Sequence, residues 1–265
     1  MLKIIDPHVH MISRVTDDYV RMRRAGIAAV VEPAFWLGSP RTYPGTFFDY
    51  FEHIIGFEAK RAAQFGVRHF CCIALNPREA NNRPLARAVL ARMPEYLRRE
   101  GVVAVGEIGF DDITPAEEYA LRRQLEMAAK FRLPALIHSP HRNKAAGVEK
   151  TCRVIEDMGL DRARVLIDHN TEETIAMSRS IGVWSGHTIY PITKLTPARA
   201  ARILEKYGTD RMLINSSADW GISDPLRVAR TVQLLRRRGW SEVRIKKVVF
   251  DNPRAFFAQS GRFKI

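Results

Sequence analysis

Six side chains of metal-ligating type stand where short apolar runs of this sequence end: His8, His10, Glu107, His138, His169 and Asp219. The first two lie in "IIDPHVHM", just after the apolar run "LKII". In extended chain, residues i and i+2 share a face, so imidazoles two positions apart project together. Glu107 ends "VVAVGEI", His138 lies in "PALIHS", His169 ends "RVLIDH" and Asp219 follows "RMLINSS". Glu107 and His138 are 31 residues apart, and so are His138 and His169. That is about one strand-helix repeat, which would hold the three at one height. Each residue alone has an ordinary reading, a satisfied histidine or a carboxylate capping a turn. Together they require six such side chains to fall at the ends of five strands.

Four imidazoles and two carboxylates exceed what one tetrahedral ion takes. They suit two divalent cations roughly 3.5–4 Å apart, sharing a bridging carboxylate and a bridging hydroxide. One or two of Zn²⁺, Mn²⁺ or Mg²⁺ is the expected cofactor: imidazole favours Zn²⁺, and the carboxylates suit the other two.

The elements that would position this ring are readable. Eight apolar runs predict strands at 2–5, 28–33, 68–75, 102–108, 134–139, 164–169, 182–187 and 211–217. Most are nearly continuous in apolar residues, which suits strands buried on both faces of a parallel sheet. Thr114-Pro115-Ala116-Glu117 is a capping box opening a helix to about Phe131. Thr196-Pro197 opens another that stops at Gly208, and Ser223-Asp224-Pro225 a third that stops at Gly239. Helices also fit 17–25, 47–65, 84–100, 147–159 and 171–181, with a last helical piece, 241–258, broken at "FDNPRAFF". Eight β-then-α units predict a single domain over 1–265, a distorted (β/α)8 TIM barrel with its chemistry at the C-terminal mouth. A doubly wound sheet would announce itself by a glycine-rich loop after the first strand; here that strand runs into DPHVH.

Bulk properties narrow the partners. No apolar run approaches the roughly 18 residues that cross a bilayer, and the first residues do not read as a secretory signal. Three cysteines without C-x-x-C spacing predict buried thiols in a reducing cytoplasm rather than disulfides. The net charge of +13 admits nucleic acid, an anionic substrate or a merely basic surface. Its densest clusters, 21–24, 97–100, 121–124, 234–239 and 245–247, fall on predicted helices, whose outer faces are usually just solvated.

The ordered pattern of HxH after strand one, GEIG on strand four, IH on strand five, H on strand six and D after strand eight resembles the TatD-like metal-dependent hydrolases of the amidohydrolase superfamily. The closing "NPRAFF" is similar to an ending common there. The resemblance spans nearly the whole chain. It implies a TIM-barrel hydrolase with one or two divalent cations. His8 and His10 would bind one, Glu107 would bridge, and His138 and His169 would bind the second. Asp219 would hold a metal and take the proton of the attacking water. The chain departs from the pattern at Asn215-Ser216-Ser217-Ala218-Asp219-Trp220, where TatD proteins show Glu-Thr-Asp-x-Pro. "SADW" is closer to the Ser-Asp-Trp of other amidohydrolase branches. A long aromatic loop, "FWLGSPRTYPGTFFDYFEH", follows strand two, and His187 is added on strand seven.

These readings predict hydrolysis of a small-molecule ester, amide, lactone or phosphoester. Trp36, Arg41, His141, Arg142 and His187, with Lys194, are candidates to hold the substrate, and their charge suits an anionic one. The aromatic loop would either cover the mouth or pack on the barrel rim. The alternative is a TatD-like deoxyribonuclease or phosphodiesterase using the same metals. A non-catalytic barrel would have lost a ligand, and none is lost.

Overall fold

The computed structural model describes residues 2–265. Its strands are β1 (Ile4–Asp6), β2 (Ile27–Pro33), β3 (Arg68–Ile73), β4 (Val102–Gly109), β5 (Ala135–His138), β6 (Val165–Ile167), β7 (Trp184–Thr188) and β8 (Met212–Asn215). Each pairs in parallel with the next, in chain order. With helices between them, they form a nearly closed TIM barrel.

The barrel is closed above the strands. The Ser217 N–H donates to the His8 carbonyl at 2.8 Å, and the His10 N–H to the Ala218 carbonyl at 2.8 Å. The Ser216 N–H donates to Asp6 Oδ1 at 3.1 Å. The seam between first and last strands is thus tied at the C-terminal mouth, beside His8 and His10.

Inside, one cluster takes a side chain from every strand: Ile5, Val31, Cys72, Val103, Leu136, Leu166, Trp184 and Leu213. Phe256, Phe257 and Phe263 join it, so the C-terminal segment completes the core. Asn252, of "NPRAFF", donates from Nδ2 to the Thr209 and Met212 carbonyls, both at 2.7 Å. Two larger clusters pack the helices around the outside.

Two helix expectations need correction. The predicted helix 47–65 begins at Pro44 and runs as Pro44–Glu52, a wide π-helical turn His53–Phe57, and Glu58–Gln64. The last helix is not broken at "FDNPRAFF": Glu242–Lys246 continues through a π turn, Lys247–Asp251, into Asn252–Ala258. Pro253 comes just after the π turn, where the regular i→i−4 ladder is already interrupted. The capping box at Thr114 and Glu117 is formed as expected.

Asp6 at the seam is fully buried, and its Oδ2 has no hydrogen-bond partner. Burial pushes its pKa up to about 6, against the opposing hydrogen bonds from Ser216 and His8. A carboxyl whose folded pKa is raised contributes stability that is full below its unfolded value of 3.8 and is lost as pH rises through the folded value. Metal-free Asp6→Asn should therefore gain on the wild type between pH 4 and pH 7, by up to about 3 kcal/mol. Urea unfolding at the two pH values checks this. Equal pH dependence in both proteins would place the titration elsewhere.

Candidate metal centre

Side chains on β4 and β5 meet others that lie just past β1 and β6. His8 Nε2 lies 3.0 Å from His10 Nε2 and 3.7 Å from Glu107 Oε1. The same Glu107 oxygen is 3.0 Å from His138 Nδ1 and 2.9 Å from His169 Nε2. One ligand atom each from His8, Glu107 and His169 lies within 4.8 Å of the other two. All five residues are buried. Histidine nitrogens and a carboxylate oxygen at this spacing are a donor set that fits a divalent cation.

Local backbone explains the convergence. His8 and His10 lie just past β1, where the Val9 N–H still bonds the Val31 carbonyl of β2 at 3.1 Å. The path therefore stays extended, and the two imidazoles share a face. On β4 the register with β5 shifts between Val105 and Ile108, the stretch that carries Glu107. Gly109, at φ +138°, lets β4 approach β5; a Cβ there would lie 2.5 Å from the His138 carbonyl oxygen.

Asp168 is a residue of this cluster that the sequence reading missed. It is fully buried, with Oδ2 2.6 Å from His8 Nδ1. Asn215 Nδ2 donates to both its oxygens, at 2.9 and 3.1 Å, and the His169 N–H to Oδ1 at 2.7 Å. A Cβ on Gly186 of β7 would overlap this carboxylate, so the glycine makes its room. Thr188 Oγ1 sits 2.6 Å from His169 Nδ1. These partners occupy the Nδ1 side of two rings and leave Nε2 facing the centre, the second-sphere arrangement typical of metal-binding histidines.

The electrostatics follow. Burial disfavours charge on Glu107, but His138, His8 and His169 outweigh it and hold its pKa well below the usual range. Burial likewise opposes protonation of His8, yet Glu107 and Asp168 raise its pKa. His10 and His169 are driven well below the ordinary value, first by burial and then by the neighbouring cations His8 and Lys194 respectively. Neutral imidazole is the form that ligates metal.

The centre opens into a cavity of about 210 Å³ lined by His10, Glu107, His138, His169, Asp219, Trp36 and His141, among others. Asp219 thus reaches the cavity, but its Oδ1 is held by the Gly221 N–H at 2.8 Å and the Tyr190 hydroxyl at 3.2 Å, not by the imidazoles.

Three expected substrate residues do not line the cavity. Arg41 is drawn into an ion pair with Glu79 (Nε–Oε1 2.7 Å) and lies over the Phe47 ring, bracing the aromatic loop. Arg142 is exposed and paired with Asp112. His187 is fully buried, with Nδ1 3.3 Å from the Asn170 carbonyl. The aromatic loop divides: Phe35 and Trp36 line the cavity, while Phe47, Phe48, Tyr50 and Phe51 pack in the outer core.

A family model described as TatD related DNase matches residues 5–258. The chain belongs to the TatD-related family. It is a metal-dependent hydrolase by class. An uncharacterized metal-dependent hydrolase of Methanocaldococcus jannaschii is 28% identical over 259 residues, covering 96% of this chain and 99% of that protein. The crystal structure of a TatD-like protein from Archaeoglobus fulgidus has a TM-score of 0.79 and 28% identity, covering 96% of this chain and 99% of the other. A phosphotriesterase homology protein of Escherichia coli, complexed with phosphate in its active site, has a TM-score of 0.71 at 14% identity, covering 97% of this chain and 99% of its own; it shares the fold.

Proposed function

We propose that this TatD family member hydrolyses a small-molecule ester, amide, lactone or phosphoester at a binuclear divalent-metal centre. The observation that carries the reading is the meeting of His8, Glu107 and His169 donors at the base of a cavity. His8 and His10 would hold one cation, His138 and His169 the second, and Glu107 would lie between them. When bound, such cations lower the pKa of a coordinated water and polarise the scissile carbonyl or phosphoryl oxygen. Asp219 acts as general base: the Gly221 N–H and Tyr190 hydroxyl fix one oxygen, which leaves Oδ2 to accept the proton. His141 lines the exposed rim of the cavity, its ring meeting His138 edge-on with centres 5.8 Å apart. As neutral imidazole it offers one donor and one acceptor to substrate. The reading places the enzyme in a reducing cytoplasm, supported by three buried free thiols, Cys71, Cys72 and Cys152.

The nuclease alternative has the family model's description in its favour. Against it, the outward basic clusters are largely neutralised. Arg99 pairs with Glu52, Arg236 with Glu242 and Arg238 with Glu205, at 2.6–2.8 Å. Metal analysis followed by a hydrolase screen, with and without chelator, tests the proposal. Chelation should abolish turnover of a small substrate, and a divalent cation should restore it. Activity confined to DNA, with binding that weakens steeply with salt, would transfer the function to the alternative.

A further inference from the structure

Lys194 lies on the loop after β7, is 8% exposed, and lines the cavity. Its ammonium donates to a neutral hydroxyl, Ser217 Oγ, at 3.4 Å, and lies 5.2 Å from the centre of the Tyr190 ring. Among the described residues no carboxylate comes within the 4.0 Å of an ion pair with it. Burial lowers the Lys194 pKa from the ordinary lysine value, and Glu107, Asp168 and Asp219 oppose that and favour the ammonium, but each carboxylate is engaged elsewhere. Glu107 contacts His138 and His169, Asp168 contacts His8 and Asn215, and Asp219 contacts Gly221 and Tyr190. The other buried lysine, Lys144, differs: it donates to the His169 carbonyl at 3.3 Å and does not line the cavity.

A buried charge is costly unless it is paired, so an ammonium held in this way stands ready for an anion that arrives with the substrate. We propose that Lys194 binds a negatively charged oxygen group, a carboxylate or a phosphate, carried by the substrate near the bond that is cut. This deepens the hydrolase reading and rests on it.

The same cavity has an aromatic wall. His10 stacks on Phe35 with ring centres 3.7 Å apart, Phe35 on Trp220 at 5.0 Å, and Trp36 meets Trp220 edge-on at 5.8 Å. The substrate class is therefore a compact acid with a flat or apolar portion, small enough for about 210 Å³.

The test uses the metal-loaded enzyme, Lys194→Met and Lys194→Arg. Malonate and inorganic phosphate are the titration probes, and 4-nitrophenyl hemiglutarate and 4-nitrophenyl acetate the paired acidic and neutral esters. Lys194→Met should bind its preferred anion ~10-fold or more weakly, about 1.4 kcal/mol, with metal content unchanged. Its KM for the hemiglutarate should rise more than that for the acetate. Its melting temperature without ligand should rise by a few degrees, because the cost of burying the ammonium is removed. Lys194→Arg should retain anion binding. A loss specific to malonate marks a carboxylate substrate, and one specific to phosphate a phosphoryl substrate. Wild-type affinity in Lys194→Met, no binding of either anion by the wild type, or weaker binding accompanied by metal loss and a lower melting temperature overturns the proposal. If the metal-loaded wild type hydrolyses neither ester nor any compound of the wider screen, the hydrolase reading fails, and the anion titration still decides Lys194.

Discussion

Glu107→Gln should leave a folded barrel that neither retains its metal nor turns over substrate. One oxygen of Glu107 serves three imidazoles, those of His8, His138 and His169, and Asn76 Nδ2 approaches the other at 3.4 Å. Glutamine keeps the size but removes the charge, and its amide places a donor where an acceptor is needed. Outer-shell partners of a metal typically contribute ~10–100-fold to affinity. A residue touching both halves of the centre should exceed that. Metal content after dialysis, measured beside the rate, checks the expectation. Full metal occupancy in Glu107→Gln would remove Glu107 from the ligand set.

Asp219→Asn separates binding from catalysis. The Asp219 carboxylate lines the cavity, held through Oδ1 by Gly221 and Tyr190 and not by the imidazole cluster. Asparagine can keep both hydrogen bonds through its own oxygen while losing the capacity to accept a proton. Metal content should stay near wild type and kcat should fall ~10²-fold or more, the usual scale for loss of a general base. Asp224→Asn should matter little: Asp224 accepts the Leu226 N–H at 3.0 Å and pairs with Arg230 at 3.0 Å, as part of a helix start. A dead Asp224→Asn with an active Asp219→Asn would shift the base by one loop. Activity in both would leave His141, which lines the same cavity, as the next candidate.

The fold and the histidine ring were legible because both follow from local periodicity. Apolar runs of strand length alternate with capped helices, and residues at equal offsets from the run ends share one height in a barrel. Asp168 was not legible for a physical reason. Successive residues of an extended strand point to opposite faces, so with His169 in the ring its neighbour should face away. His169 instead takes φ +60°, which breaks the alternation and lets both side chains serve the site. A non-glycine residue in that region is uncommon and tends to mark functional positions. The pairing of Asp168 with His8 also spans 160 residues of chain, beyond any motif. Lys194 and Arg41 show the same limit. Both are basic mouth-side residues in the sequence, and only the packing separates a cation facing the cavity from one consumed by Glu79.

The central claim is that the donors of His8, His10, Glu107, His138 and His169 hold divalent metal at the mouth of the barrel. Anomalous diffraction at the absorption edge of Zn²⁺ or Mn²⁺, from crystals grown with that ion, tests it most directly. The expected result is one or two strong peaks bounded by His8 Nε2, the Glu107 carboxylate and His169 Nε2, lost in Glu107→Gln. An empty map at that position, with the ion bound only at surface residues, would contradict it.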